Sequence, residues 1–262
     1  MKRRISNMKF GACIGYDPER IKLAAEFGFD YLEAGFAFFV KGTDEELEGY
    51  RKCLEENGIK CEASNCFIPG ELKVVGENVD YDALKAHVEK GMSRGVKVGL
   101  QTVVFGSGGA RSIPEGFPYY KAAAQIAYFL KNIVAPAAEK YGITVVVEPL
   151  CDCNIINTVK EGCIFAAMAE SDNVKGLGDS FHMYTFGDKF ENIKDVKGFL
   201  GHAHIAEPTD RVYPYENDGA DYKSFLEALE FAGCPRCSIE AGCKDFAKEG
   251  PVALGILKAA LK

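Results

Sequence analysis

Three of the chain's four histidines fall between Val174 and Glu207, in the segments VKGLGDSFHM and FLGHAHIAE. Each segment begins apolar or glycine-rich and turns polar near its end, so His182, His202 and His204 collect beside Asp179 where two strands leave a core. Two further apolar runs end the same way: ITVVVEPL reaches Glu148 and CSIEAG reaches Glu240. Imidazoles and carboxylates gathered like this suit metal binding and proton transfer. With a period of two, His202 and His204 point to one side of their strand, and His204 lies nearer the exit. Glu148, Asp179, His204 and Glu240 then stand at corresponding heights on four adjacent strands. Three carboxylates and one imidazole make an oxygen-rich set that suits Mn²⁺, Mg²⁺ or Co²⁺ better than Zn²⁺. Any one of them alone reads equally well as a hydrogen-bonded core group. Together they call for a compensating charge, because buried acids do not stay unpaired.

Such a constellation needs a scaffold that brings strand ends together. Short apolar runs alternate with longer amphipathic segments eight times, the pattern of parallel strands joined by crossover helices. It predicts strands over 9–15, 31–36, 61–66, 98–106, 143–150, 174–183, 200–207 and 236–242. Helices are predicted over 18–27, 44–57, 81–94, 118–141, 158–170, 221–231 and 246–261, with a weak one over 189–197. Asp17-Pro18-Glu19 and Asp44-Glu45-Glu46 supply oxygen to helix starts. Gly28, Gly58, Gly95, Gly142 and Gly233 are expected as left-handed helix stops. The expected fold is a (β/α)8 TIM barrel, a single domain over 1–262, with its chemistry at the C-terminal strand ends. A doubly wound open sheet is the runner-up, although no GxGxxG follows the first strand.

At 262 residues and 47% hydrophobic, the chain can bury one large core. A net charge of -7 repels polyanions, so no nucleic-acid partner is expected. The basic start MKRRISNMKF leads straight into a strand and holds no apolar run of the length a signal or membrane helix needs. A soluble cytoplasmic protein is therefore expected, with no membrane partner. The ten cysteines are scattered and expected to be free thiols, and Cys234-Pro-Arg-Cys237 lacks the second pair of a zinc ribbon.

The set Glu148, Asp179-Ser-Phe-His182, His202-Ala-His204-Ile-Ala-Glu207 and Ser238-Ile-Glu240 resembles the xylose isomerase-like barrel superfamily. In particular it resembles the sugar phosphate isomerase/epimerase branch that includes D-tagatose and D-psicose 3-epimerases. The resemblance runs from the GACIG strand to the last helix. It implies one divalent metal ion held by Glu148, Asp179, His204 and Glu240, with two oxygens of an open-chain sugar completing the coordination. It also implies Glu148 and Glu240 as acid and base in turn, His182 and Arg211 as substrate contacts, and a homo-oligomer. A metal that polarises a carbonyl eases removal of the neighbouring proton. Returning it to the opposite face gives epimerisation; returning it to the adjacent carbon gives isomerisation. One departure stands out: the loop Pro149-Leu-Cys-Asp-Cys-Asn154 lacks the second glutamate of the ketose 3-epimerases and offers Asp152 or Asn154 instead.

Other residues near the mouth carry open readings. Glu33 on the second strand is a substrate contact or an orienting group. Phe36, Phe38, Phe39, Phe67 and Ile68 form core or a wall that excludes water. The segment Gly106-Ser-Gly-Gly-Ala-Arg111 either grips an anion or merely clears space. His202 is expected to pack below the site and His87 to lie on the surface. A lyase or dehydratase acting on a polyol or keto-inositol is the alternative function, since it shares the first proton removal. An endonuclease IV-like phosphodiesterase is disfavoured because such sites gather three zinc ions with many more histidines, and a non-catalytic sugar-binding barrel is disfavoured by the intact acids.

Overall fold

A computed structural model describes residues 8–262. The basic start read from the sequence lies largely outside them. Eight parallel strands close into a barrel in sequence order, β1 pairing with both β2 and β8. They are β1 (Lys9–Cys13), β2 (Tyr31–Gly35), β3 (Cys61–Asn65), β4 (Thr102–Phe105), β5 (Thr144–Val147), β6 (Val174–Asp179), β7 (Leu200–Ile205) and β8 (Arg236–Ile239). Strands such as TVVF and TVVV are apolar on both faces because one face fills the barrel and the other packs under helices. Val104, Val146 and Leu177 form the small cluster inside the barrel, and the large core lies between strands and helices.

The expected (β/α)8 barrel is the observed fold, and its elements begin where local chemistry directs. Asp17 caps the helix Pro18–Phe27 by accepting from the Glu19 and Arg20 amides. Thr43, rather than Asp44, caps Asp44–Glu56, in a reciprocal capping box with Glu46. Gly28, Gly142 and Gly233 take the left-handed conformation at helix ends. Gly95 does not: it remains helical, and an added Cβ would sit 2.4 Å from Leu100 Cδ2. The left-handed turn falls on Gly99 instead, with φ +96, after a 3₁₀ turn at Val96–Val98, so the fourth strand begins at Thr102 rather than at 98.

Two other boundaries move for physical reasons. The predicted helix over 118–141 contains a π-helical turn at Leu130–Val134, between Tyr119–Phe129 and Ala135–Tyr141. Pro136 cannot donate to the carbonyl four residues back, so the regular ladder cannot pass it. The sixth strand stops at Asp179 instead of running to 183, because Ser180–Phe186 is helical. No helix among the described residues is long and apolar enough to cross a membrane.

Candidate active site

Asp179 explains its own surroundings. Its Oδ1 accepts from the His182 amide at 3.0 Å, capping the short helix that follows β6. The DxxH spacing is therefore an N-cap and the third helical residue, and it fixes His182 at the barrel mouth while Oδ2 faces His204 and Arg211. Strand register does the rest: Asp179 pairs with His204 across β6 and β7, and His204 with Ser238 across β7 and β8. Glu148 and Glu240 each sit one residue beyond their strands, tied back by amide bonds to Phe105 and Ile205 carbonyls.

Glu148, Asp179, His204 and Glu240 converge so that one donor atom of each lies within 4.8 Å of all the others. His204 Nδ1 is 3.0 Å from Glu148 Oε1, 3.2 Å from Glu240 Oε2 and 3.8 Å from Asp179 Oδ2. Oxygen and nitrogen donors about 2.1 Å from a common ion stand about 3 Å apart at adjacent octahedral positions, so the set fits a hard divalent cation. The electrostatics agree. Burial pushes the Glu148 carboxyl up, reinforced by Glu240 and Asp179, to about 7. Burial also opposes ionisation of Glu240, but His204 and Arg211 outweigh it and hold that carboxyl at about 2. Burial lowers the His204 pKa, yet Glu240 and Glu33 reverse the effect and drive it well above the usual imidazole value. The acids thus draw positive charge to their centre.

Below this layer runs a fully buried hydrogen-bond chain. Glu33 Oε1 is 3.0 Å from His204 Nε2 and Oε2 is 2.9 Å from His202 Nε2. His202 lies 3.4 Å from Ser238 Oγ, which is 2.9 Å from the Tyr31 hydroxyl. Glu33 has no exposed surface. Of its two sequence readings the geometry favours the orienting group over the substrate contact, since the carboxylate is spent on two imidazoles beneath the four-residue set. His202 packs below the site as expected.

On the open side, Arg211 Nη2 lies 2.6 Å from Glu240 Oε2 and 3.4 Å from Asp179 Oδ2, and its guanidinium covers the Phe181 ring at 4.9 Å. Its backbone is left-handed, φ 51, a strained conformation held by the Val212 to Gly242 bridge beside it. The Cys151 amide donates to His182 Nδ1 at 3.2 Å, and in the tautomer that accepts it Nε2 carries the proton. That Nε2 and Arg211 Nη1 are 3.3 Å apart. Two N–H groups facing the same space form a natural cradle for an oxygen.

Several contributors are not evident from the sequence. Asn65, at the end of β3, donates to Glu240 Oε1 at 2.7 Å. Gly106 leaves room for the Glu148 carboxylate: an added Cβ would lie 2.1 Å from Glu148 Oε2. Arg111 is wholly buried and donates to the Phe105, Glu148 and Ile156 carbonyls, so it clamps the exits of β4 and β5 and cannot grip an anion. Asn154 is held by both Ile113 backbone groups, which leaves exposed Asp152 as the polar end of that loop. Phe36, Phe39, Phe67 and Ile68 are buried core, with Phe38 stacked on Tyr16. His87 is half-buried rather than on the surface, packed on Phe36 and bonded to the Phe67 carbonyl. Cys13 joins Glu33, His204 and Glu240 in an overlapping donor group, but burial and Glu33 raise its pKa and keep it a neutral thiol.

Residues 21–257 match the protein family described as xylose isomerase-like TIM barrel. The D-psicose 3-epimerase of Agrobacterium fabrum (strain C58) is 28% identical over 202 residues, 73% of this chain and 68% of that protein. A crystal structure of D-psicose 3-epimerase in the presence of D-fructose superposes with a TM-score of 0.83 at 22% identity, covering 97% of this chain and 99% of that one. For 3-keto-D-glucoside 4-epimerase from E. coli the values are 0.81, 20%, 96% and 99%. At those identities the two structures attest the shared barrel.

Proposed function

The chain belongs to the xylose isomerase-like TIM barrel family, and from that premise we propose that it is a metal-dependent epimerase or isomerase of a sugar, working by proton transfer through an enediolate. The observation that carries this reading is the convergence of Glu148, Asp179, His204 and Glu240 from four successive strands. Similarity to the Agrobacterium D-psicose 3-epimerase supports the sugar substrate. Commitment of Arg111 to backbone carbonyls supports an unphosphorylated one, since the glycine turn beside it has no guanidinium to offer a phosphate.

These four residues would hold one divalent ion, with Mn²⁺, Mg²⁺ or Co²⁺ preferred by their oxygen-rich chemistry. When bound, the ion stabilises negative charge on sugar oxygens beside the carbon that loses its proton. The chain supplies the remaining functions. His182 Nε2–H and Arg211 Nη1–H orient the substrate oxygens. Glu148 from β5 and Glu240 from β8 remove and return the proton in turn, and Asn65 and Arg211 steady the Glu240 carboxylate. Glu33 keeps His204 in place. The ten free cysteines support a reducing, cytoplasmic setting, and a homo-oligomer accords with the sequence resemblance.

Glu240→Gln should abolish exchange of the substrate C–H proton with D₂O in a screen of ketoses, sugar phosphates and inososes. Retained exchange would overturn the proposal. A second reading, a lyase on a polyol or keto-inositol, is favoured by one feature: the loop after β5 lacks the glutamate of ketose 3-epimerases, and Asn154 is spent on Ile113. Loss of water, seen by NMR of the product, would select the lyase.

A further inference from the structure

A second donor cluster lies beside the four-residue set and shares no ligand with it. Cys151 Sγ stands 3.1 Å from His182 Nδ1, and a carboxylate oxygen of Asp152 lies within 4.8 Å of both. Two of the three side chains are reachable from solvent: Cys151 is half-buried and Asp152 exposed, while His182 forms the floor. His182 Nδ1, the ring nitrogen beside the thiol, accepts from the Cys151 amide and so offers a lone pair on that edge. Arg211 faces Nε2, on the far edge of the ring from the thiol.

We propose that Cys151, Asp152 and His182 form a separate binding site for a thiophilic divalent cation, Zn²⁺ or Cd²⁺, whose occupation inhibits the enzyme. The donor types decide the class of ion. Thiolate and imidazole suit borderline and soft metals, whereas the neighbouring carboxylate set suits hard ones. The separation of 3.1 Å between sulfur and nitrogen is a little shorter than two ligands at about 2.3 and 2.05 Å adopt around a tetrahedral ion, so a small outward shift of the half-buried thiol admits it. Binding forms metal–sulfur, metal–nitrogen and metal–oxygen bonds to Cys151, His182 and Asp152, and the thiol proton leaves to solvent. Water fills the open position. The ion takes the Nδ1 lone pair from the Cys151 amide, so the ring turns and Nε2 leaves the cradle it shares with Arg211. Inhibition therefore follows from displacing His182, with no exchange at the four-residue set.

The inhibitory part rests on the proposed activity; the binding part does not. Protein preloaded with Mn²⁺ is titrated with Cd²⁺ while sulfur-to-metal charge-transfer absorption and bound Mn²⁺ are followed together. One Cd²⁺ per chain should bind with a new thiolate band and Mn²⁺ retained. Cys151→Ser should lose that band and, measured against its own uninhibited rate, need at least about tenfold more Zn²⁺ for half-inhibition. Asp152→Asn should shift inhibition in the same direction by a smaller factor. A band unchanged in Cys151→Ser, or Cd²⁺ uptake matched by Mn²⁺ release, would overturn the site. If no substrate turns over, the absorption titration still decides binding, which separates failure of this site from failure of the epimerase reading.

Discussion

Glu33 Oε1 stands 3.0 Å from His204 Nε2, on the opposite edge of the ring from Glu148 and Glu240. The carboxylate accepts the Nε2 proton and so turns Nδ1 toward the acid cluster, the arrangement by which a carboxylate fixes the tautomer and basicity of a metal-binding histidine. Because Glu33 also accepts from His202, its own position is fixed from below.

Loss of that contact should weaken metal binding more than folding. Glu33→Gln is expected to lower Mn²⁺ affinity by about 10- to 100-fold, measured by titration calorimetry, while the far-ultraviolet circular dichroism stays that of a barrel. An unchanged affinity would show that His204 is oriented without it.

Gly106 gives a steric test of the same centre. A methyl group there would lie 2.1 Å from Glu148 Oε2, so Gly106→Ala must displace the carboxylate. Turnover and metal affinity should both fall at least about tenfold. Gly49→Ala is the control: this exposed helical position has nothing within 4 Å of an added Cβ, and the change should stabilise by about 0.5–1 kcal/mol in denaturant unfolding, with turnover intact.

Arg111 tests how the ends of β4 and β5 are held. Arg111→Met leaves the Phe105 and Glu148 carbonyls without their buried donor, and two bonds to a charged group are worth about 3 kcal/mol or more together. Chemical denaturation should register that loss. Stability equal to that of the unmodified chain would mean the carbonyls find other donors.

The pH dependence of stability has a component at His87. Burial lowers its pKa against the opposing Phe67 carbonyl bond, so the folded ring titrates below the unfolded value near 6.5. The unfolded state then binds the proton more readily, and stability present above about pH 6.5 is lost as pH falls through that value toward the lower folded pKa. Thermal melts of His87→Gln, which keeps a donor for the carbonyl, should lose less between pH 7 and 5 than the unmodified chain. Parallel curves would assign the acid sensitivity elsewhere.

Alternating apolar runs and helix stops were sufficient to predict eight strands in order, because burial of both faces and left-handed stops leave their mark within a few neighbouring residues. The same regularity brought Glu148, Asp179, His204 and Glu240 to one level: each ends an apolar run, and the barrel makes equal positions on adjacent strands into neighbours. What the sequence could not reveal depends on partners far along the chain. Glu33 meets histidines 169 and 171 residues away, Asn65 meets Glu240 across 175, and Arg111 turns inward to carbonyls 6, 37 and 45 residues distant. Local propensity carries no information about such contacts, since closure of the barrel alone sets which side chains face one another. Chain order thus determined the barrel and its donors; tertiary packing decided which acids converge, which one supports them from below, and which glycine must stay small.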